Sequence, residues 1–259
     1  MKRSYFILIL LLIGISILYA QTPFINNDYT AVGATPTNGM FCIGIVSDSL
    51  IPLMYGDPRS GGNSSHTNFY IDGAIYSNDP FIEDASYLPV EIPSHLSDAT
   101  IMAAWKVNNI LITQLLQPVV VESTGTVIIQ YSFFNSDTIP HEVGILTTID
   151  LYIGGDDAAK ISVPGYPFAD TVLTFAGEDV PPYWRAYSIG PEIPDTEQVV
   201  AQCNLLNPPS PIPEFILFGD NREILSVAWD YEPPGGIHYD DSGVLMRWEP
   251  VVIQPDSSF

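Results

Sequence analysis

Basic residues are nearly missing from this chain. Lys and Arg number 8 against 30 Asp and Glu, a formal net charge of −22. A polyanion of this kind repels nucleic acid and anionic lipid, so neither is an expected partner. Acid excess suits a soluble chain that repels its own copies, and it also suits one that binds divalent cations. Cysteine is scarce as well. The only two, Cys42 and Cys203, belong to no CxxC pair or Cys/His cluster, which argues against structural zinc. They are candidates for one disulfide closing a long loop, worth about 2–4 kcal/mol in an oxidising compartment. The other reading is two buried free thiols, since both sit beside apolar residues. Catalytic signatures are lacking: there is no G-x-S-x-G elbow, phosphate-binding glycine loop or HExxH helix. No stretch sustains a 3.6-residue apolar period, which argues against a helical fold.

What is there begins with a targeting signal. Lys2 and Arg3 precede an apolar run, Phe6–Leu18, and Leu-Tyr-Ala20 before Gln21 has the small-residue character of a cleavage site. The run is short for a membrane span, which needs roughly 20 apolar residues. Residues 1–20 therefore read as a signal peptide. No later segment is apolar enough to cross a membrane. The expected location is secreted, at the cell surface or in the periplasm. Residues 21–38 are polar, with Pro, Asn and Gly, and read as a loosely ordered lead-in. Residues 39–259 read as a single large domain.

That domain reads as all-β. The stretch VIIQYSFFNSDTIPHEVGILTTIDLYIGGDD, residues 127–157, holds two apolar runs, Val127–Phe134 and Val143–Ile153. Both are rich in Val, Ile, Thr, Tyr and Phe, so both read as strands, joined here as a central hairpin. Asp72-Gly73 and Asn108-Asn109 mark two tighter hairpins. Further strands are expected at Met40–Ser47, Ile51–Tyr55, Thr171–Ala176, Tyr183–Ile189, Gln198–Asn204, Glu214–Phe218, Ile224–Tyr231 and Gly243–Trp248. Most of the 23 prolines fall between these runs, where strand rules allow them. The two central runs lack clean alternation, as strands covered on both faces do. Two-sided antiparallel strands imply stacked sheets, hence a large antiparallel β-sandwich.

A series of short motifs supports this outline: Asp72-Gly73, Trp105, Asn135, Val143-Gly144, Asp150, Gly154-Gly155-Asp156-Asp157, Pro181-Pro182-Tyr183-Trp184, Trp229-Asp230-Tyr231 and Asp241-Ser242 with Trp248. In this order they resemble the N-terminal sandwich region of large secreted bacterial surface proteins of unknown activity. The resemblance covers roughly Met40 to Pro250. It implies a supersandwich outline similar to galactose-mutarotase-like and polysaccharide-processing domains.

Three kinds of candidate site follow. Asp150, Asp156 and Asp157 surround a Gly-Gly turn and supply the hard oxygens that calcium takes, although the spacing is not that of an EF-hand. Asp240-Asp241 is a second acidic pair of the same chemistry. The competing reading of each is a solvated turn with Asp capping backbone amides. Tyr183, Trp184, Trp229 and Tyr231 are candidates for stacking on sugar rings, against the alternative of core packing. His66, His95, His141 and His238 lie in polar or loop sequence and read as exposed. His141-Glu142 and His238 with Asp240 are the pairings an acid–base mechanism would use, but no motif fixes either, and no catalytic residue is assigned. The expected function is a non-catalytic domain for surface architecture, adhesion or contact with polysaccharide or other surface proteins. No cofactor other than calcium is indicated. The alternatives are a carbohydrate-active enzyme of mutarotase-like or lyase-like fold, and a self-assembling structural subunit. The last predicts an exposed apolar sheet surface or an unpaired strand edge.

Overall fold

Val, Ile, Thr and Tyr crowd the runs between the prolines, and most of these runs are strands. The structure is a computed structural model describing residues 22–97, 99–169, 171–206, 210–233 and 238–259. The signal peptide expected over residues 1–20 lies outside the described residues. Strand accounts for about 54% of the structure and helix for about 4%, so the chain is an all-β sandwich. No described helix is long and apolar enough to cross a membrane.

In chain order, β1 (Phe24–Asn26), β2 (Thr30–Ala34), β3 (Phe41–Val46) and β4 (Leu50–Pro52) form an antiparallel meander. β5 (His66–Ile71), β6 (Ala74–Ser77) and β7 (Ser86–Tyr87) open the largest sheet. β8 (Ile92–Ser97), β9 (Thr100–Val107), β10 (Ile110–Val121) and β11 (Thr124–Asn135) build a second sheet, and β12 (His141–Asp150) returns to the largest. β13 (Lys160–Val163) and β14 (Tyr166–Ala169) start a last sheet, which β16 (Tyr183–Tyr187) and β17 (Val200–Asn204) complete after β15 (Leu173–Ala176) has joined the largest. β18 (Phe215–Asp220), the short helix α1 (Asn221–Ile224) and β19 (Ser242–Ile253) follow, and β20 (Ser257–Ser258) pairs onto the second sheet. The seven-stranded sheet runs β15-β18-β19-β12-β5-β6-β7, and the five-stranded sheet runs β20-β11-β10-β9-β8.

These two sheets pack face to face. Phe69 and Ile71 of β5, Val143 and Ile145 of β12 and Ile253 of β19 meet Trp105 of β9, Ile110 and Ile112 of β10 and Phe133 of β11. Phe69 lies 5.2 Å from the Trp105 ring and 6.3 Å, edge on, from Phe133. Each fully buried side chain of this size contributes roughly 1.5–3 kcal/mol by burial alone. A second core joins the inner faces of β12, β18 and β19 to β2, β3, β13 and β16. The outer face of the seven-stranded sheet has its own cover. Leu146, Leu217 and Leu245 lie beneath Ile224, Val227 and Trp229. β12 is therefore covered on both faces, as its unbroken apolar run predicts.

Several expectations are corrected. The runs at Val127–Phe134 and Val143–Ile153 are not a hairpin. β11 pairs β10 and β20, whereas β12 pairs β5 and β19. The connection crosses from one sheet to the other. Asn135, fully buried, pins it by donating to Ile139 O and Ile253 O and accepting from Asp137 N. β11 is also not covered on both faces, since Ile128 and Phe134 are exposed. The lead-in expected over residues 21–38 is not loose where it is described, from residue 22: β2 is buried along its whole length. Ile224–Tyr231 is not a strand but the end of α1 and the segment that covers the outer face. The two tight hairpins stand. Asp72 and Gly73 take φ of 50° and 85°, and Asn108 takes 51°, the left-handed values these turns need.

Candidate metal centre

At its C-terminal end β12 delivers Asp150 to the outer face of the large sheet, opposite Gly243 of β19, which in turn faces Gly219 of β18. The missing side chain at Gly243 matters. A Cβ there would lie 2.7 Å from Ile224 Cδ1 and 3.1 Å from Asn221 Cα. Gly243 therefore lets α1 lie on the sheet and brings Asn221 to Asp150. Asp220 caps α1 by accepting from Arg222 N, and Asn221 N donates to Asp241 O.

Past β12 the chain turns back on itself. Ile153 and Asp156 exchange backbone hydrogen bonds around Gly154 and Gly155, whose φ values of 65° and 97° suit glycine. This tight turn returns Asp157 towards Asp150. Ser242 then fixes Asp157, since both Ser242 N and Oγ donate to Asp157 O, at 2.6 and 2.9 Å. On the third side, Ser65 Oγ accepts from Asp150 N, and Ser64 stands beside the Asp150 carboxyl without reaching hydrogen-bond geometry.

The result is a carboxylate cluster. Asp150, Asp157 and Asp241 each place an oxygen within 4.8 Å of the others. Burial pushes the Asp150 carboxyl up to about 7, with repulsion from Asp241 and Asp157 adding to it and the Ser64 and Asn221 side chains opposing it. Burial also raises Asp157, helped by Asp156, and raises Asp241, helped by Asp157. Arg222 is the cation acting on this group. Its guanidinium, however, is turned to Asp220 and Asp240 on the outer side.

Of the expected acidic residues, only some are brought together. Asp150 and Asp157 converge as expected. Asp156 does not join them, because its Oδ1 accepts from Ala158 N and caps the turn. Its place is taken by Asp241 from the second acidic pair, while Asp240 is occupied with Arg222. The glycines contribute turn geometry. Asn221 had no local sequence signal, since it reaches the cluster only through the close approach of α1 to Gly243.

The other candidate residues are dispersed. Trp184 is buried in the core, edge to face with Phe218 at 5.9 Å. Trp229 is buried against Tyr70 at 5.4 Å. Neither presents a ring face for a sugar, which corrects the stacking expectation for these two tryptophans. The reason is that Trp184 is a strand residue facing inwards and Trp229 belongs to the outer cover. Tyr183 keeps an exposed face against Arg185, and Tyr231 is half-buried beside the cover. Cys42 and Cys203 are free thiols, so no disulfide joins them. Cys42 sits in the first sheet near Met54 O and Cys203 in the last beside Trp184, and burial pushes both thiols up to about 12.

Two of the four histidines, His66 and His141, depart from the expected exposure, whereas His238 is exposed and His95 half-buried. His66 is buried on β5, and burial pushes its pKa down. His141 is buried at the start of β12. Its Nδ1 is 2.6 Å from Asp72 and its Nε2 is 3.3 Å from Asp137, while Glu142 instead accepts from Tyr70 OH. His141 thus ties the Asp72-Gly73 turn to the crossover rather than facing Glu142. Two surface concavities, one beneath Tyr231 and Glu223 and one between Phe24, Ser49 and Arg59, bring no histidine to a carboxylate. The chain matches no protein-family model and no curated protein.

Proposed function

We propose that this protein is a non-catalytic β-sandwich subunit of an extracellular or cell-surface assembly, joining copies of itself along β11. The observation that carries this reading is the free edge of that strand. β20 covers only its last residues, by pairing with Phe134 and Asn135, and on the side away from β10 no described strand pairs with Thr124 to Ser132. A long open edge offers a row of backbone donors and acceptors to another strand. The other edge strands are shorter: β1, β4 and β7 have two or three residues and β14, β15 and β17 four or five, while β8 carries Pro93 and a register shift.

Charge points to a second copy as the occupant. Neither β10 nor β11 contains a charged residue, although the chain has a net charge of −22. Copies of a polyanion repel least where they are uncharged. Antiparallel pairing of β11 with β11 of a copy is isologous and needs no second, complementary surface. Val121, Ile128 and Phe134, each at least 40% exposed, would supply apolar contact beside the seam.

Light scattering on purified protein over a range of concentration tests this. Association is expected, strengthened by added salt, which screens the remaining repulsion. Ile128→Lys is expected to shift the population to monomer. A protein that stays monomeric at high concentration and high salt would overturn the reading. Surface adhesion without self-association would then be the next reading to test.

A further inference from the structure

We infer that Ser64, Asp150, Asp157, Asn221 and Asp241 form a binding site for one calcium ion. The carboxylate cluster alone does not carry this. The second observation is what surrounds it. Asn221, only 4% exposed, stands against the Asp150 carboxyl with its Oδ1 unpartnered, and Asp150, also 4% exposed, has an unpartnered Oδ1. Ser64 Oγ, Asp157 Oδ1 and Asp241 Oδ1 are likewise buried atoms without hydrogen-bond partners. Buried acceptors are normally satisfied, because leaving one without a partner costs its full desolvation. Here the unpartnered oxygens belong to the three converging carboxylates and to Ser64 and Asn221, whose side chains act on Asp150, and the Arg222 guanidinium is directed to Asp220 and Asp240.

The donor set selects the ion. All five atoms are oxygens, three of them anionic, so a hard cation is favoured over zinc or copper. Calcium takes six to eight oxygens at about 2.3–2.6 Å, so donors on opposite sides of it stand about 4.6–5.2 Å apart. The carboxylate oxygens lie within 4.8 Å of one another. Magnesium, at about 2.0–2.1 Å and with strict octahedral demands, calls for a tighter cage. Five protein oxygens leave one to three positions for water. The ion would tie the end of β12, the Gly-Gly turn, α1, the start of β19 and the loop before β5. No residue of β10 or β11 takes part, so this inference stands or falls separately from the assembly reading.

The test is calcium binding by equilibrium dialysis together with thermal melting, on protein first stripped with a chelator. One calcium per chain is expected. At one hundred times its Kd, calcium should raise the melting temperature by about 5–10 °C. Magnesium at equal concentration should raise it less. Asp157→Asn and Asp241→Asn should fold, since each removes a repelling charge at constant shape, and should each weaken binding at least tenfold. Asp156→Asn should bind as the native protein does. No bound calcium at about 10 mM, well above the range of weak extracellular sites, would overturn the inference. So would full binding by Asp241→Asn, or loss of binding in Asp156→Asn alone.

Discussion

Replacing Asp150 by Asn should stabilise the protein in a chelator and destabilise it in calcium. In the stripped protein, burial and two neighbouring carboxylates raise Asp150 from an ordinary 3.8 to about 7. At about 1.36 kcal/mol per pH unit, that rise represents roughly 4 kcal/mol of cost to holding the charge. Relaxation and water entry reduce such costs, so about 2 kcal/mol is a reasonable expectation. The sign follows from proton counting. Between about pH 4 and pH 7 the folded chain holds a proton at Asp150 that the unfolded chain has released. Native stability from this source therefore falls as pH rises through that window and is fully lost above it. Asparagine has no such proton, so the variant should lack this slope. At pH 8 in chelator it should melt about 4–8 °C above the native protein. With saturating calcium the order should reverse, because the variant has lost a ligand. Melts at pH 5 and pH 8, with and without calcium, read all four cases. A variant that melts below the native protein at pH 8 in chelator would refute the reasoning, and so would parallel pH slopes.

Three other outcomes are expected. His141→Gln should cost about 1 kcal/mol, a figure discounted because Asp72 is 43% exposed. Hydrogen bonding to Asp72, then to Asp137, raises the His141 pKa above 6.5, so the difference should be full below pH 6.5 and fade as pH rises through the folded pKa; urea titrations at pH 5.5 and pH 9 check this, and a difference that grows with pH would contradict it. Gly243→Ala should displace α1, cost about 1–3 kcal/mol by overpacking and weaken calcium binding without touching a carboxylate. Trp184→Ala should cost about 3–5 kcal/mol in chemical denaturation, while polysaccharide pull-down, if it shows any binding, should not change, because the ring is buried.

The sequence was most informative where chemistry is local. Asp72-Gly73 and Asn108-Asn109 announced their turns because left-handed φ is costly for most residues, and β12 announced its double burial through an unbroken apolar run. Pairing between strands was not legible. Val127–Phe134 and Val143–Ile153 are adjacent in sequence and alike in composition, yet a buried Asn135 sends the chain across the sandwich between them. Nothing local distinguishes that turn from a hairpin. The β2 strand was hidden by small and polar residues that are buried all the same. The acidic site was half legible. The turn at Gly154-Gly155 marked Asp157, whereas Asp241 comes from a distant pair and Asn221 depends on a missing Cβ at Gly243. The aromatic residues misled because a tryptophan suited to a sugar face is equally suited to a core.

The position of β19 bears on how the chain folds. It lies between β12 and β18 in the largest sheet, although it is among the last strands in sequence. Until residues 242–253 are available, β18 lacks its partner on one side and β12 lacks one of its two neighbours. Such distant pairings make closure of a sheet slow. A chain threaded N-terminus first through a pore would thus remain open until nearly all of this region had emerged, and the sandwich would snap shut on the far side.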